Sequence, residues 1–193
     1  MLRKRLTAMF VPLFATAITG AAFAAPSASA QADTAEKGGK LGEAFTVLHA
    51  VTQWSIDLSK LADDNAQSEL VKGYAREIAM GNAEKDAKLM SIADKHGIEV
   101  APLDPQTEEG KSLLARMKGE KELLSSLSGD AFDKEYMTLV TNTQQSVIHF
   151  LGAQKAAAKD PDLKRAFGEM TTTVQSRVKV AQDIMARVYG TGI

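Results

Sequence analysis

Three histidines, at positions 49, 96 and 149, are the only imidazoles in this 193-residue chain, which has no cysteine. Thiolate chemistry and Cys-ligated metals are therefore excluded, and a transition-metal site would need imidazoles and carboxylates. None of the three follows a glutamate at the i, i+3 spacing that sets two ligands on one helix face in ferritin-like oxidases. His49 lies beside an apolar stripe, His96 falls at a helix C-terminus where the dipole favours a cation, and His149 follows Val147-Ile148. Core or rim roles fit all three. A rebuilt metal or redox site would require Asp57, Glu77, Glu84 or Glu169 to converge with His49 or His149, yet these acids read as solvent-facing. Met80, Met90, Met117, Met137, Met170 and Met185 are spread without Met-x-x-Met clustering and read as gap-fillers. Trp54, Tyr74 and Tyr136 read as packing anchors whose polar ends reach the surface. There is no Gly-rich phosphate loop, nucleophile elbow or spaced Ser/His/Asp set. The sequence thus favours a non-enzymatic protein with no catalytic residue, metal or cofactor.

The elements that would position these residues are helices. From Leu41 onward apolar residues recur with a helical period, interrupted where turn residues stand. A first helix is expected over about 42–64, with Leu48, Val51, Leu58, Leu61 and Ala62 on one stripe. A second runs over about 67–96, with Ala75, Ile78, Leu89 and Ile92 inward and Gly97 as its left-handed cap. Asp104-Pro105 reads as an N-cap followed by Pro at the first helical position of a shorter helix ending near Leu127. After Ser128-Gly129-Asp130, a long helix carries Tyr136, Val140, Val147 and Leu151 towards Lys159. Asp160-Pro161 repeats the capping signature for a last helix to Tyr189, stopped by Gly190. Its inward residues are Leu163, Phe167, Met170, Val174, Val178, Ala181 and Ile184. The expected fold is all-α: an antiparallel four-helix bundle with a short extra helix in the crossover. Gly73, Gly81, Gly152 and Gly168 fall inside helices at about 1 kcal/mol each relative to Ala, which close helix contact would explain.

The first thirty residues indicate where the protein works. Arg3-Lys4-Arg5 precedes an apolar run over 6–20 and two A-x-A patterns, Ala22-Phe23-Ala24 and Ala28-Ser29-Ala30. This is the pattern of a secretory signal peptide over 1–30, with cleavage favoured after Ala30, which predicts a periplasmic protein not anchored in a membrane. Residues 31–40 are small, polar and Gly-rich, a flexible leader ahead of a single domain over 41–190. The first thirty residues hold three of the 23 basic side chains and no acid, so the remainder carries a formal charge of −4. That balance, with no Lys/Arg cluster, argues against nucleic acid and anionic membrane surfaces as partners.

Three stretches carry a family resemblance: Gly129-Asp130-Ala131-Phe132-Asp133-Lys134-Glu135-Tyr136, the 71–97 helix with Tyr74-Ala75 and Lys95-His96-Gly97, and the export signal. Together they resemble domain-of-unknown-function family 4142 over about residues 43–189. The resemblance implies a ferritin-like, exported bacterial bundle without a settled activity. It also implies an inward-facing set of potential metal ligands: a Glu on the first long helix, an Asp-His pair on the second and a His on the fourth. In this chain the matching positions are Ser55, Gly81-Asn82 and Gln144, and Arg177 stands near where a further His is common.

Heptad arithmetic puts all four substituted side chains on core stripes. Ser55 is seven residues from Leu48 and Ala62, Asn82 from Ala75 and Leu89, Gln144 from Met137 and Leu151, and Arg177 from Met170 and Ile184. Ser, Asn, Gln and Arg cannot hold a di-iron or zinc ion, and Arg would repel it. One reading is a satisfied polar layer or side chains tipping out to solvent, because an unpaired buried polar group costs about 1–3 kcal/mol. The other is a small polar ligand or anion held by Arg177 with the two amides. At the level of function, the first hypothesis is a non-catalytic exported bundle that binds an envelope protein or small ligand, in envelope maintenance or stress. The alternative is a ferritin-like metal or redox protein with a rebuilt carboxylate/His site.

Overall fold

The structure is a computed structural model that describes residues 39–190. The expected signal peptide over 1–30, and the leader up to residue 38, lie outside the described residues. Five helices follow: α1 Lys40–Asn65, α2 Glu69–His96, α3 Glu108–Ser125, α4 Gly129–Ala157 and α5 Pro161–Tyr189. The described residues contain no strand. The first helix begins at Lys40, inside the stretch expected to be leader.

Two of the chain's capping signals act as their residue types require. At α5 the Asp160 carboxylate accepts from the backbone N–H of Asp162 and Leu163, at 2.7 and 3.3 Å, with Pro161 in the first turn. At the end of α2, Gly97 adopts φ 62°, its N–H bonds to Asp94 O and the Ile98 N–H reaches back 2.9 Å to Ala93 O. That is a Schellman closure, and Ile98 is buried in the same apolar cluster as Ala93.

The Asp104-Pro105 expectation is corrected. Asp104 instead closes a turn, accepting from Gln106 N–H at 2.8 Å, and α3 starts at Glu108, three residues after the expected Pro105. Thr107 is its cap, its hydroxyl accepting from Gly110 N–H at 3.1 Å.

The four long helices are 26 to 29 residues each, roughly 40 Å at about 1.5 Å per residue. Helices α1 and α2 form one antiparallel hairpin and α4 and α5 the other, packed together with every adjacent pair antiparallel. The α2–α4 crossover includes α3, which lies against α4 and inserts Leu124 into the core. Trp54 of α1 also reaches α3, its indole N–H donating to Met117 O at 3.2 Å rather than meeting solvent.

The Gly129–Tyr136 motif is a structural clasp. Phe132 and Tyr136 are buried, and the fully buried Asp133 carboxylate accepts from Gln67 N–H at 2.9 Å and Ser68 N–H at 2.7 Å. One carboxylate thus satisfies the backbone donors of the α1–α2 turn from the N-terminal end of α4. Tyr136 shares a 3.0 Å hydrogen bond with Ser59 of α1.

Apolar burial is divided into two clusters. One, around Ile78, Phe132, Tyr136 and Ala181, fills the end where α1 meets α2. The other, around Phe45, Leu89, Leu151 and Phe167, fills the end where α4 meets α5, and Phe45 and Phe167 pack edge to face there. Between them, each long helix contributes polar side chains.

Candidate functional site: a polar layer between two apolar clusters

Ser55, Asn82, Gln144 and Arg177 come from four different helices and line one cavity of 60 Å³ at mid-bundle. Asn82 is the hub. Its Nδ2 donates to Ser55 Oγ at 3.0 Å, and its Oδ1 accepts from Arg177 Nη1 at 2.5 Å. Gln144 is reached across the bundle by Tyr74, the two hydroxyl–amide contacts being 3.3 and 3.1 Å. The same hydroxyl lies 3.2 Å from the backbone carbonyl of Arg177, which it can serve as donor. Tyr74 and Tyr136 thus keep their hydroxyls inside the bundle, contrary to the expectation that these ends reach the surface. Burial pushes the Tyr74 hydroxyl up to about 12, and that of Tyr136 upward as well.

Lys85 also faces this cavity, and the sequence reading missed it. Its Nζ is enclosed and has no hydrogen-bond partner among the described residues. Burial, then the nearby positive charge of Arg177, bring the ammonium down to about 7. Burial also lowers Arg177 from its ordinary value, although a guanidinium stays charged at any physiological pH. No aspartate or glutamate lines the cavity, whose walls are otherwise apolar or hydroxyl-bearing.

Gly81 makes room for the cation. A side chain at this position would overlap the Arg177 guanidinium. The close approach is therefore between a helix backbone and a side chain, not between two helices. Gly73 and Gly152 have open space where a Cβ would stand, so close helix contact explains neither. Gly168 faces the side chain of Lys155.

The histidines lie apart from one another. His49 Nδ1 is 2.7 Å from Asp86 Oδ1, and Gln53 Nε2 donates to the other oxygen of the same buried carboxylate at 2.6 Å. His149 is exposed. His96 stands 3.3 Å from Asp160, and with Asp162 these form a small cluster at the end of the bundle. Lys95 and Arg165 hold Asp162 below the ordinary carboxylate range, supplying that cluster with its own cations. Asp57, Glu77, Glu84 and Glu169 are all exposed, and Glu169 is spent on Lys88 at 2.7 Å.

Arg177, Lys85 and a layer of amides and hydroxyls can hold negative charge by charge-assisted hydrogen bonds. They offer a metal cation no neutralising ligand. Among the described residues no helix is long and apolar enough to cross a membrane.

Solved structures of the same fold come from DUF305 proteins. A DUF305 protein from Streptomyces coelicolor, inferred to be secreted, is 18% identical, with a TM-score of 0.61 over 76% of this chain and 91% of its own. A DUF305 fragment from Deinococcus radiodurans is 16% identical, with a TM-score of 0.64 over 76% of this chain and 95% of its own. At these identities the likeness is one of fold. No curated protein matches the chain. The family model described as domain of unknown function DUF4142 matches residues 24–184, and the chain belongs to that family.

Proposed function

We propose that this is an exported, non-catalytic bundle protein that binds a small anion in the mid-bundle cavity. The observation that carries the reading is the presence of two inward cationic side chains, Lys85 and Arg177, in a cavity without a carboxylate. Burying one charge without a partner is costly, and a bound anion would offset that cost for both. Export is supported by the basic, apolar and A-x-A sequence of residues 1–30. A Sec substrate crosses unfolded, and a domain without cysteines can then fold in the periplasm without an oxidant. The single long crossover supports reading the bundle as ferritin-like in connectivity. The family's implied metal ligands are replaced at Ser55, Gly81-Asn82 and Gln144, which favours an anion over a cation at this place.

The test is thermal unfolding of the mature protein at low ionic strength with a panel of small oxyanions and carboxylates. At least one anion should raise the melting temperature saturably, and Arg177→Met should remove the increment. A panel that shifts wild type and variant equally would overturn the reading. Stoichiometric transition metal in the purified wild type would favour the metal-binding alternative.

A further inference from the structure

The hydrogen-bonding capacity left around the cavity is dominated by donors. Asn82 Oδ1 is engaged by Arg177, and the Gln144 amide is held on the Tyr74 hydroxyl, whose single proton serves either Gln144 Oε1 or the Arg177 carbonyl. The donors left are the Lys85 ammonium, the Arg177 N–H groups not used on Asn82, and the Ser55 and Thr143 hydroxyl protons, whereas the Thr52 hydroxyl has spent its proton on the Leu48 carbonyl. A ligand rich in acceptors and carrying at most one donor meets this inventory best. An oxyanion is such a ligand.

Size and charge narrow the class. A cavity of 60 Å³ is roughly four to six times the minimum for one water, room for the few oxygens of a small oxyanion. Two positive groups from two helices, α2 and α5, are complemented by two negative charges. We infer that the cavity takes a small divalent oxyanion, of the size and charge of sulfate or hydrogen phosphate, held between the Lys85 ammonium and the Arg177 guanidinium. The inference rests on the anion-binding reading above and adds to it a second cationic arm and a charge.

A proton should accompany the ligand. Without an anion Lys85 sits at about 7, depressed by burial and by Arg177. Arg177 is the only other charged side chain that lines the cavity, and α1 and α4 contribute hydroxyls, an amide and apolar groups. On α2 itself, the exposed Glu77 and Glu84 place negative charge near Arg177 from outside the cavity, and Asp86 is turned to His49 and Gln53. A bound dianion therefore raises the affinity of Lys85 for its proton, and affinity for the anion falls as pH rises above about 7.

Sulfate is the decisive probe, because it does not itself titrate in this range. Isothermal calorimetry of the mature protein at about pH 8, in buffers of different ionisation enthalpy, should show uptake approaching one proton per sulfate. Sulfate should bind at least about tenfold more tightly than acetate. Lys85→Met should lose most of the affinity and all of the proton uptake. Lys85→Arg should keep the affinity and lose its dependence on pH. If Lys85→Met binds sulfate like the wild type, or acetate matches sulfate, the inference falls while anion binding at Arg177 stands. If no anion binds at all, both fall together.

Discussion

The guanidinium of Arg177 lies where the side chain of residue 81 would begin, so Gly81 and Arg177 together fill one position in the bundle. Gly81→Ala should displace the guanidinium from Asn82 while gaining about 1 kcal/mol of helix propensity. The net change in stability should be within about 1 kcal/mol, and anion affinity should fall. In an Arg177→Met background the same change should instead be stabilising by up to about 1 kcal/mol. Urea unfolding of the four proteins closes this cycle, and simple additivity would mean that the two positions do not share space.

Removing the cation alone separates packing from charge. Arg177→Ala should destabilise by about 1–3 kcal/mol, through the lost bond to Asn82 and the lost stem contacts, whereas Arg177→Met should cost less. A denaturant midpoint unchanged by Arg177→Ala would place the side chain in solvent.

Stability should depend on pH through Lys85. Its folded value of about 7 is below the ordinary lysine value of 10.5, so between these limits the unfolded chain binds more protons. Stability contributed at this site therefore rises with pH from about 7 towards 10, and is lowest when the buried amine is charged. Above 10 the raised Tyr74 and Tyr189 hydroxyls, both near 12, act in the opposite sense. Denaturation between about pH 6 and 9.5 should show a rising component in wild type that Lys85→Met lacks.

The clasp at Asp133 should be worth more than any surface pair. Asp133→Ala strands the Gln67 and Ser68 N–H groups and should cost about 2–4 kcal/mol, with Asp133→Asn milder. Amide exchange at Gln67 and Ser68 should accelerate in the Ala variant. Unchanged protection there would show that the turn holds itself.

A metal-site graft tests whether the family's ligand positions converge. Ser55→Glu, Gly81→Asp, Asn82→His and Gln144→His restore carboxylates and imidazoles around one cavity. Arg177→His, desirable from charge alone, becomes necessary because a side chain at 81 overlaps the guanidinium. The folded graft should take up zinc or manganese stoichiometrically and gain thermal stability from it. A well-folded graft that stays metal-free would show that these positions do not form a coordination sphere.

What the sequence made legible depended on whether a residue's neighbours in the chain were also its partners in space. Gly97 and Asp160-Pro161 were readable because a cap bonds to groups within a few residues. Asp104-Pro105 misled because Thr107, three residues on, offers the same chemistry and takes the cap. Asp133 acts on a turn 65 and 66 residues away, a relation no local pattern encodes. The heptad rule placed Ser55, Asn82, Gln144 and Arg177 on interior stripes but could not say that Tyr74 would bond Gln144 from the facing helix. Lys85 was within reach of the same rule. It stands seven residues from both Ile78 and Ile92, read as inward-facing, and a lysine at such a position is a signal in its own right.

The division of the core into two apolar clusters bears on how the helices find their alignment. Long apolar stripes of Leu, Val and Ala pack almost as well when one hairpin slides along the other by a turn. Such a slide would carry Lys85 and Arg177 out of the polar layer and press them against one of the apolar clusters, where neither would find water or a partner. The charged waist thus acts as a ruler that admits one longitudinal setting of the two hairpins.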